Sequence, residues 1–198
     1  MVEHTIRHYK LEPGALEVEY MEQHFHEFRS RKTAAEIIRR LADREHLILL
    51  SMANSPDDEE TLIPVAYKIG HQLRLQEDDL QLIDLVSHLT GVVDFVNRKI
   101  FYGWIGGTRK EWRQLGHYRA LTEQQEEWTH ANGYSEIVVK TKNKYYAMRG
   151  TLDHLQYDVI KFQPHRTNNR ESKVYLSKKI AAEVLRDHRT TRSVVDAA

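Results

Sequence analysis

The sequence predicts an α+β fold, a mixed sheet with helices on its faces, and three observations carry that expectation. Short apolar runs with strand character alternate with longer stretches of helical spacing along all 198 residues. The stretch from Lys99 to Asn143 reads as an apolar strand, a Gly-Gly step, a basic turn, an amphipathic helix and a second strand. Hydrophobic residues make up 40% and charged residues 29%, the balance of a globular chain long enough to bury a core.

Taken in order, residues 3–11 alternate enough for a first strand, ended by Pro13-Gly14. Leu16, Tyr20, Met21 and Phe25 give helical spacing over Leu16–Phe28. Ser30 is placed to cap a second helix with Ala34, Ile37, Ile38 and Leu41 on one face. HLILLSMAN (46–54) is an apolar strand, SPDDEE a solvated turn, and TLIPVAYKIG (61–70) a strand returning antiparallel to it. The segment 71–97 differs in character. LQLIDLVSHLTGVVDFV reads as a helix broken near Gly91, and Glu77, Asp78, Asp79, Asp84 and Asp94 against Arg74 give it a net charge of −4. Either this is a packing helix with a solvated acidic face, or it walls a site for a cationic acceptor.

After Asn143, KYYAMRGTLDHL (144–155) forms a helix with Asn143 as its predicted cap, although Gly150 and Thr151 weaken it. QYDVIKFQP is a strand, HRTNNRE a turn, and SKVYLSKKI a strand in which Val174, Leu176 and Ile180 alternate inward. The expected organisation is one domain over 1–180, with an insertion at about 71–97 and a C-terminal tail, 181–198, that begins as a helix.

Lys+Arg and Asp+Glu both number 29, which argues against a nucleic-acid partner. Cysteine is absent, which removes disulfides, thiolate metal sites and a cysteine nucleophile. The N-terminus lacks the apolar region of a secretory signal and no run reaches the length of a membrane span, so a soluble cytoplasmic protein without a membrane partner is expected. His4 and His8, and His24 and His26, have no carboxylate at a metal-binding spacing, so no metal is expected. Trp104, Trp112 and Trp128 are most simply core or sheet-edge aromatics, with Trp128 beside Leu121 on the apolar face of the central helix.

A strand that passes through a basic, glycine-containing turn into a helix N-terminus holds phosphate well. The turn's amides are free, and the helix dipole favours an anion. Arg109, Lys110 and Arg113 either neutralise that anion or decorate a solvated turn, and His117 either donates to phosphate or faces solvent.

The run WIGGTRKEWRQLGHYRALTEQQEEWTHANGYSEIVVKTKN resembles the acyl-CoA-binding core of the GNAT N-acetyltransferase superfamily. Arg113 and Gly116 stand at the first and fourth positions of the Arg/Gln-x-x-Gly-x-Gly/Ala signature. The helix closing in Trp128, the turn Asn132-Gly133-Tyr134 and the strand IVVKTKN follow at the family's spacing, and the likeness covers about 46–70 and 99–180. It implies a GNAT-type mixed, mostly antiparallel sheet with helices on both faces. It also implies acetyl-CoA as cosubstrate, its pyrophosphate on Arg113, Gln114, Leu115, Gly116, His117 and Tyr118, its pantetheine arm along Gly106, Gly107 and Thr108, and Asn143 in the same site. The implied reaction moves acetyl to the amine of a small molecule or peptide by direct attack, in a chain compatible with a homodimer. A strand amide near Gly107 is the oxyanion donor, and a carboxylate of the insertion or a water chain is the base.

The sequence departs from the family pattern at Tyr118, in the Gly/Ala position, and at Leu152, where many members carry an acidic tyrosine. Gln156-Tyr157 replaces the usual Gly-Phe pair. These departures motivate the other reading, a catalytically weak acyl-CoA-binding sensor or interaction module. Tyr145, Tyr146 and His154 are the remaining candidates for acid–base work.

Overall fold

The computed structural model describes residues 4–9, 11, 21, 25 and 32–185. The strands are β1 (Thr5–Tyr9), β2 (His46–Asn54), β3 (Leu62–Leu73), β4 (Ile100–Thr108), β5 (Glu136–Lys142), β6 (Asp158–Gln163) and β7 (Lys173–Lys179). The α-helices among the described residues include α1 (Ala34–Leu41), α2 (Leu80–Leu89), α3 (His117–Ala131) and α4 (Tyr146–His154), and residues 182–185 at the start of the tail are helical as well. Seven strands form one mixed sheet in the order β1-β2-β3-β4-β5-β7-β6. β1–β2, β2–β3, β5–β7 and β6–β7 pair antiparallel. β4 and β5 are neighbours in the sheet, and α3 lies between them in the chain. The predicted helix over Leu16–Phe28 with Tyr20, the Ser30 cap, His24 and His26, and the tail beyond residue 185 lie outside the described residues.

Two compact units are present, Met1–Gln72 with Gly103–Gln125, and Leu73–Tyr102 with Glu126–Ala198. In the first unit, alternation along β2 sends Ile48, Leu50 and Met52 to a core with Ala34, Ile37 and Leu41 of α1, Met21, Phe25, Tyr67 and Ile69. Ser51, on the opposite face, meets α3. The cap of α1 is Thr33, whose hydroxyl accepts from the Glu36 amide while Glu36 reaches back to the Thr33 amide. Ile38, expected on the buried face, is 41% exposed, because the apolar stripe of this short helix is centred on Ile37 and Leu41.

In the second unit Tyr175 on one face of β7 meets His88 of α2, while Lys178 on the other meets Glu126 of α3. Helices therefore cover both faces. The helix of the acidic segment does stop before Gly91, which takes φ +88°. Its carboxylates mostly serve its own backbone. Glu77 accepts from the Arg74 amide, Asp79 caps α2, and Asp94 accepts from the Val96 and Asn97 amides.

Asn143 does not cap α4. That position belongs to Tyr145, which makes no side-chain cap, and Asn143 is drawn instead to Arg149 and to the Asn169 carbonyl. At the other end α4 closes with Tyr157 N–H on the Leu152 carbonyl and Gln156 N–H on Asp153, each at 2.9 Å. Gln156 takes φ +61° there, the left-handed position that glycine fills most easily. Gln156→Gly is therefore expected to raise stability by about 0.5–1 kcal/mol in denaturant unfolding; a loss would show that the Gln156 side chain holds the turn.

Candidate active site

Nine of the predicted site residues, 106–108 and 113–118, lie in the first unit. Gly106, Gly107 and Thr108 end β4, where Gly106 is forced by packing: a Cβ there would stand 3.0 Å from the Tyr67 carbonyl oxygen of β3. A single 3-10 turn, Lys110–Trp112, follows, with the Arg113 Nε–H returning to the Thr108 carbonyl at 3.2 Å. Arg109 pairs with Glu111 at 2.9 Å and Lys110 is exposed. Gln114 and Gly116 then take φ values of +67° and +84° on either side of Leu115, turning the chain sharply into α3. The first backbone bond of α3 runs from Ala120 N–H to the Gly116 carbonyl at 2.9 Å. The amides of His117, Tyr118 and Arg119 thus face out of a helix end whose cap, Gly116, has no side chain to satisfy them.

His117 is buried, not solvent-facing, at 1% exposure. Its Nδ1 lies 2.9 Å from Ser51 Oγ and 3.2 Å from His4 Nδ1, and Trp112 meets the ring edge-on. Burial first, and His4 second, push its pKa down to about 4. The direction of the Ser51 Oγ–His117 Nδ1 hydrogen bond follows the tautomer of the ring, whose other nitrogen is Nε2. That buried atom has no hydrogen-bond partner among the described residues. A buried ring nitrogen of this kind calls for a partner.

Tyr118, which departs from the Gly/Ala of the signature, packs against Lys68 of β3. Lys68 sits 4.4 Å above its ring, and the Lys68 ammonium donates to the Tyr118 hydroxyl at 3.3 Å and to Thr122 Oγ1 at 2.9 Å. Burial pushes the Tyr118 phenol up. Ser51, His4 and Lys68 are the residues that sequence reasoning missed. Ser51 and Lys68 come from β2 and β3 and His4 directly precedes β1, and no local motif joins them to a helix start so far along the chain.

His71 of β3 is likewise buried, its pKa pushed down to about 3 chiefly by desolvation. Both histidines titrate below the free value of 6.5, so folding favours their neutral forms. That contribution is complete above about pH 6.5 and is lost as pH falls towards 4 for His117 and 3 for His71. Thermal melts are expected to move down steadily between pH 6.5 and 4; a flat profile would mean that neither imidazole is desolvated.

In the second unit Asn143 follows β5 directly, and its amide is engaged as described. Tyr145 and Tyr146 are exposed, at 48% and 61%. His154 ends α4, eight residues beyond Tyr146, a rise of about 12 Å along the helix, so the two do not form a pair. Leu152 is fully buried, a core residue. Tyr157 is buried too, with the Lys178 ammonium 5.7 Å from its ring and 2.6 Å from Glu126. Among the described residues no group of three His, Asp or Glu is placed to hold a metal, and no helix is long and apolar enough to cross a membrane.

This element order, the mixed sheet and the glycine turn opening the helix after β4 make up the fold of the GNAT N-acetyltransferases, which solved structures share over most of the chain. NAA60 of Arabidopsis thaliana in complex with acetyl-CoA is 13% identical over 89% of this chain and 99% of its own, with a TM-score of 0.62. Naa20 of Chaetomium thermophilum in complex with a bisubstrate analogue is 14% identical over 93% and 90%, with a TM-score of 0.59. The ribosomal-protein-S18-alanine N-acetyltransferase of Escherichia coli is 13% identical over 89% and 95%, with a TM-score of 0.57. No protein-family model and no curated protein matches the sequence.

Proposed function

We propose that this chain is an acetyl-CoA-dependent N-acetyltransferase that transfers acetyl directly to an acceptor amine. The observation that carries the reading is the start of α3, where two left-handed residues, Gln114 and Gly116, lead into a helix whose first amides face outward. That combination suits a pyrophosphate. Acetyl-CoA supplies the activated acyl group, and Gly106, Gly107, Thr108, Arg113, Gln114, Leu115, Gly116, His117, Tyr118 and Asn143 are the residues assigned to it. Fold neighbours bear on the same reading, one solved with acetyl-CoA and one with a bisubstrate analogue.

In the reaction a C–N bond forms as the thioester C–S bond breaks, the ammonium proton is released, and the departing sulfur gains a proton. The β4 amide near Gly107 is the donor to the carbonyl oxygen. With no cysteine in the chain, a thiol acyl-enzyme is excluded and direct attack is the simplest route. Tyr145 and Tyr146, two and three residues after Asn143, are the candidate side chains for giving the sulfur its proton. The chain acts as one domain with an insertion near 71–97, on a small-molecule or peptide amine, in the cytoplasm.

Release of free thiol from acetyl-CoA in the presence of polyamines, aminoglycosides, amino acids and short peptides tests this. Acceptor-dependent thiol release supports it. Coenzyme binding with no release for any acceptor would favour a sensor.

A further inference from the structure

The end of the second unit that follows β5 is strongly cationic, and nothing described so far uses that charge. Residues 142–149 and 163–173 contain Lys142, Lys144, Arg149, Arg166, Arg170 and Lys173 against one carboxylate, Glu171. These two segments are one structure rather than two nearby loops. Asn143 N–H donates to the Ser172 carbonyl at 2.8 Å, Lys144 N–H to the Arg170 carbonyl at 2.9 Å, and Lys142 stands opposite Lys173 across the β5–β7 pair. Glu171 is shared by two ammonium groups, Lys142 at 2.7 Å and Lys144 at 2.6 Å. Those two contacts hold its carboxyl well below the usual range, at about 2. Its single charge leaves the cluster with a large positive surplus. Arg166 and Arg170 are exposed and have no side-chain partner among the described residues.

Two further observations bear on what this surface takes. Tyr145 and Tyr146 stand exposed beside it, with Lys144 5.5 Å from the Tyr145 ring, offering flat apolar area next to the charges. The location is the carboxyl end of β5, at the turn that leads into α4. The chain as a whole carries no net charge, so the cluster is a local device and not part of a polyanion-binding field.

We propose that this cationic surface recruits an acidic peptide as the acetyl acceptor, its carboxylates on Arg166, Arg170 and the Lys142–Lys144 pair and its backbone against Tyr145 and Tyr146. The inference rests on the acetyltransferase reading for the reaction, but not for the binding step, which can be measured without coenzyme.

The probes are three peptides of equal length, each with a free amino terminus and a C-terminal fluorophore: one with aspartates after the first residue, one with lysines and one with serines. By fluorescence anisotropy the aspartate peptide is expected to bind at least about ten-fold tighter than the serine peptide, and to weaken as salt is raised. Arg166→Glu/Arg170→Glu should remove that preference, while Glu171→Gln, which frees Lys142 and Lys144, should strengthen it. In the transfer assay the preference should appear in KM for the peptide, with KM for acetyl-CoA within about two-fold of its original value in both variants.

Equal binding of the three peptides, a preference that survives the double charge reversal, or tighter binding of a single-stranded oligonucleotide of equal charge would overturn the proposal. So would a rise in KM for acetyl-CoA alone, which would assign the surface to coenzyme phosphate. Peptide selectivity without acetyl-CoA binding would instead preserve the surface and remove the acetyltransferase reading.

Discussion

Gly116→Val is expected to weaken acetyl-CoA binding by about 100-fold or more, an effect read by calorimetry on folded protein. Gly116 takes φ +84°, where a β-branched residue is strained by about 1–2 kcal/mol or more. An added Cβ would also press against His4 Nε2 at 3.2 Å, so the turn must reshape or His4 must move. Either change spoils the alignment of the amides at the start of α3, and a pyrophosphate held by several converging donors loses them together. Gly116→Ala keeps the steric change small and should give an intermediate loss. A folded Gly116→Val protein with unchanged affinity would place the coenzyme elsewhere.

The second large effect is on stability. Glu126 and Lys178 form an ion pair at 2.6 Å with side-chain exposures of 1% and 2%. Two charges taken this far out of water are tolerated because each neutralises the other, so removing one leaves the second buried against its will to hydrate. Glu126→Gln is expected to cost about 3–5 kcal/mol in denaturant unfolding. Replacing both members, Glu126→Leu with Lys178→Met, should recover most of that loss, because the desolvation cost disappears with the charges. A single variant as stable as the original would mean that water reaches the pair.

The strands were readable because they rest on short-range patterns. The apolar runs HLILLSMAN and PVAYKIG and the alternation in SKVYLSKKI mark β2, β3 and β7, and the glycine turn marks the start of α3. The helix caps were less readable. Ser30 and Asn143 are good capping residues by type, but Thr33 has Glu36 at the capping-box spacing, and Asn143 finds better partners in Arg149 and Asn169. Local propensity proposes a cap, and distant partners decide whether its side chain is free to serve.

α3 shows the limit most clearly. Read alone, LTEQQEEWTH is a polar helix with a narrow apolar seam at Leu121 and Trp128. In the structure Thr122, Glu123, Gln125, Glu126 and Thr129 are all buried. Thr122 and Glu126 owe this to lysines 54 and 52 positions away, Lys68 on β3 and Lys178 on β7, which themselves look like surface residues within their strands. Burial of a polar residue depends on a partner, and pairing across the fold leaves no periodic trace. The same reason hid Ser51 and His4 behind His117, whereas the glycines of the cradle were visible because they answer to local backbone geometry.

Calorimetric titration of acetyl-CoA into the unmodified protein at neutral pH tests the central claim most directly. A single saturable site with a dissociation constant in the micromolar range, competed by CoA, is the predicted result. No heat of binding with acetyl-CoA at millimolar concentration, in protein that melts cooperatively, would contradict it.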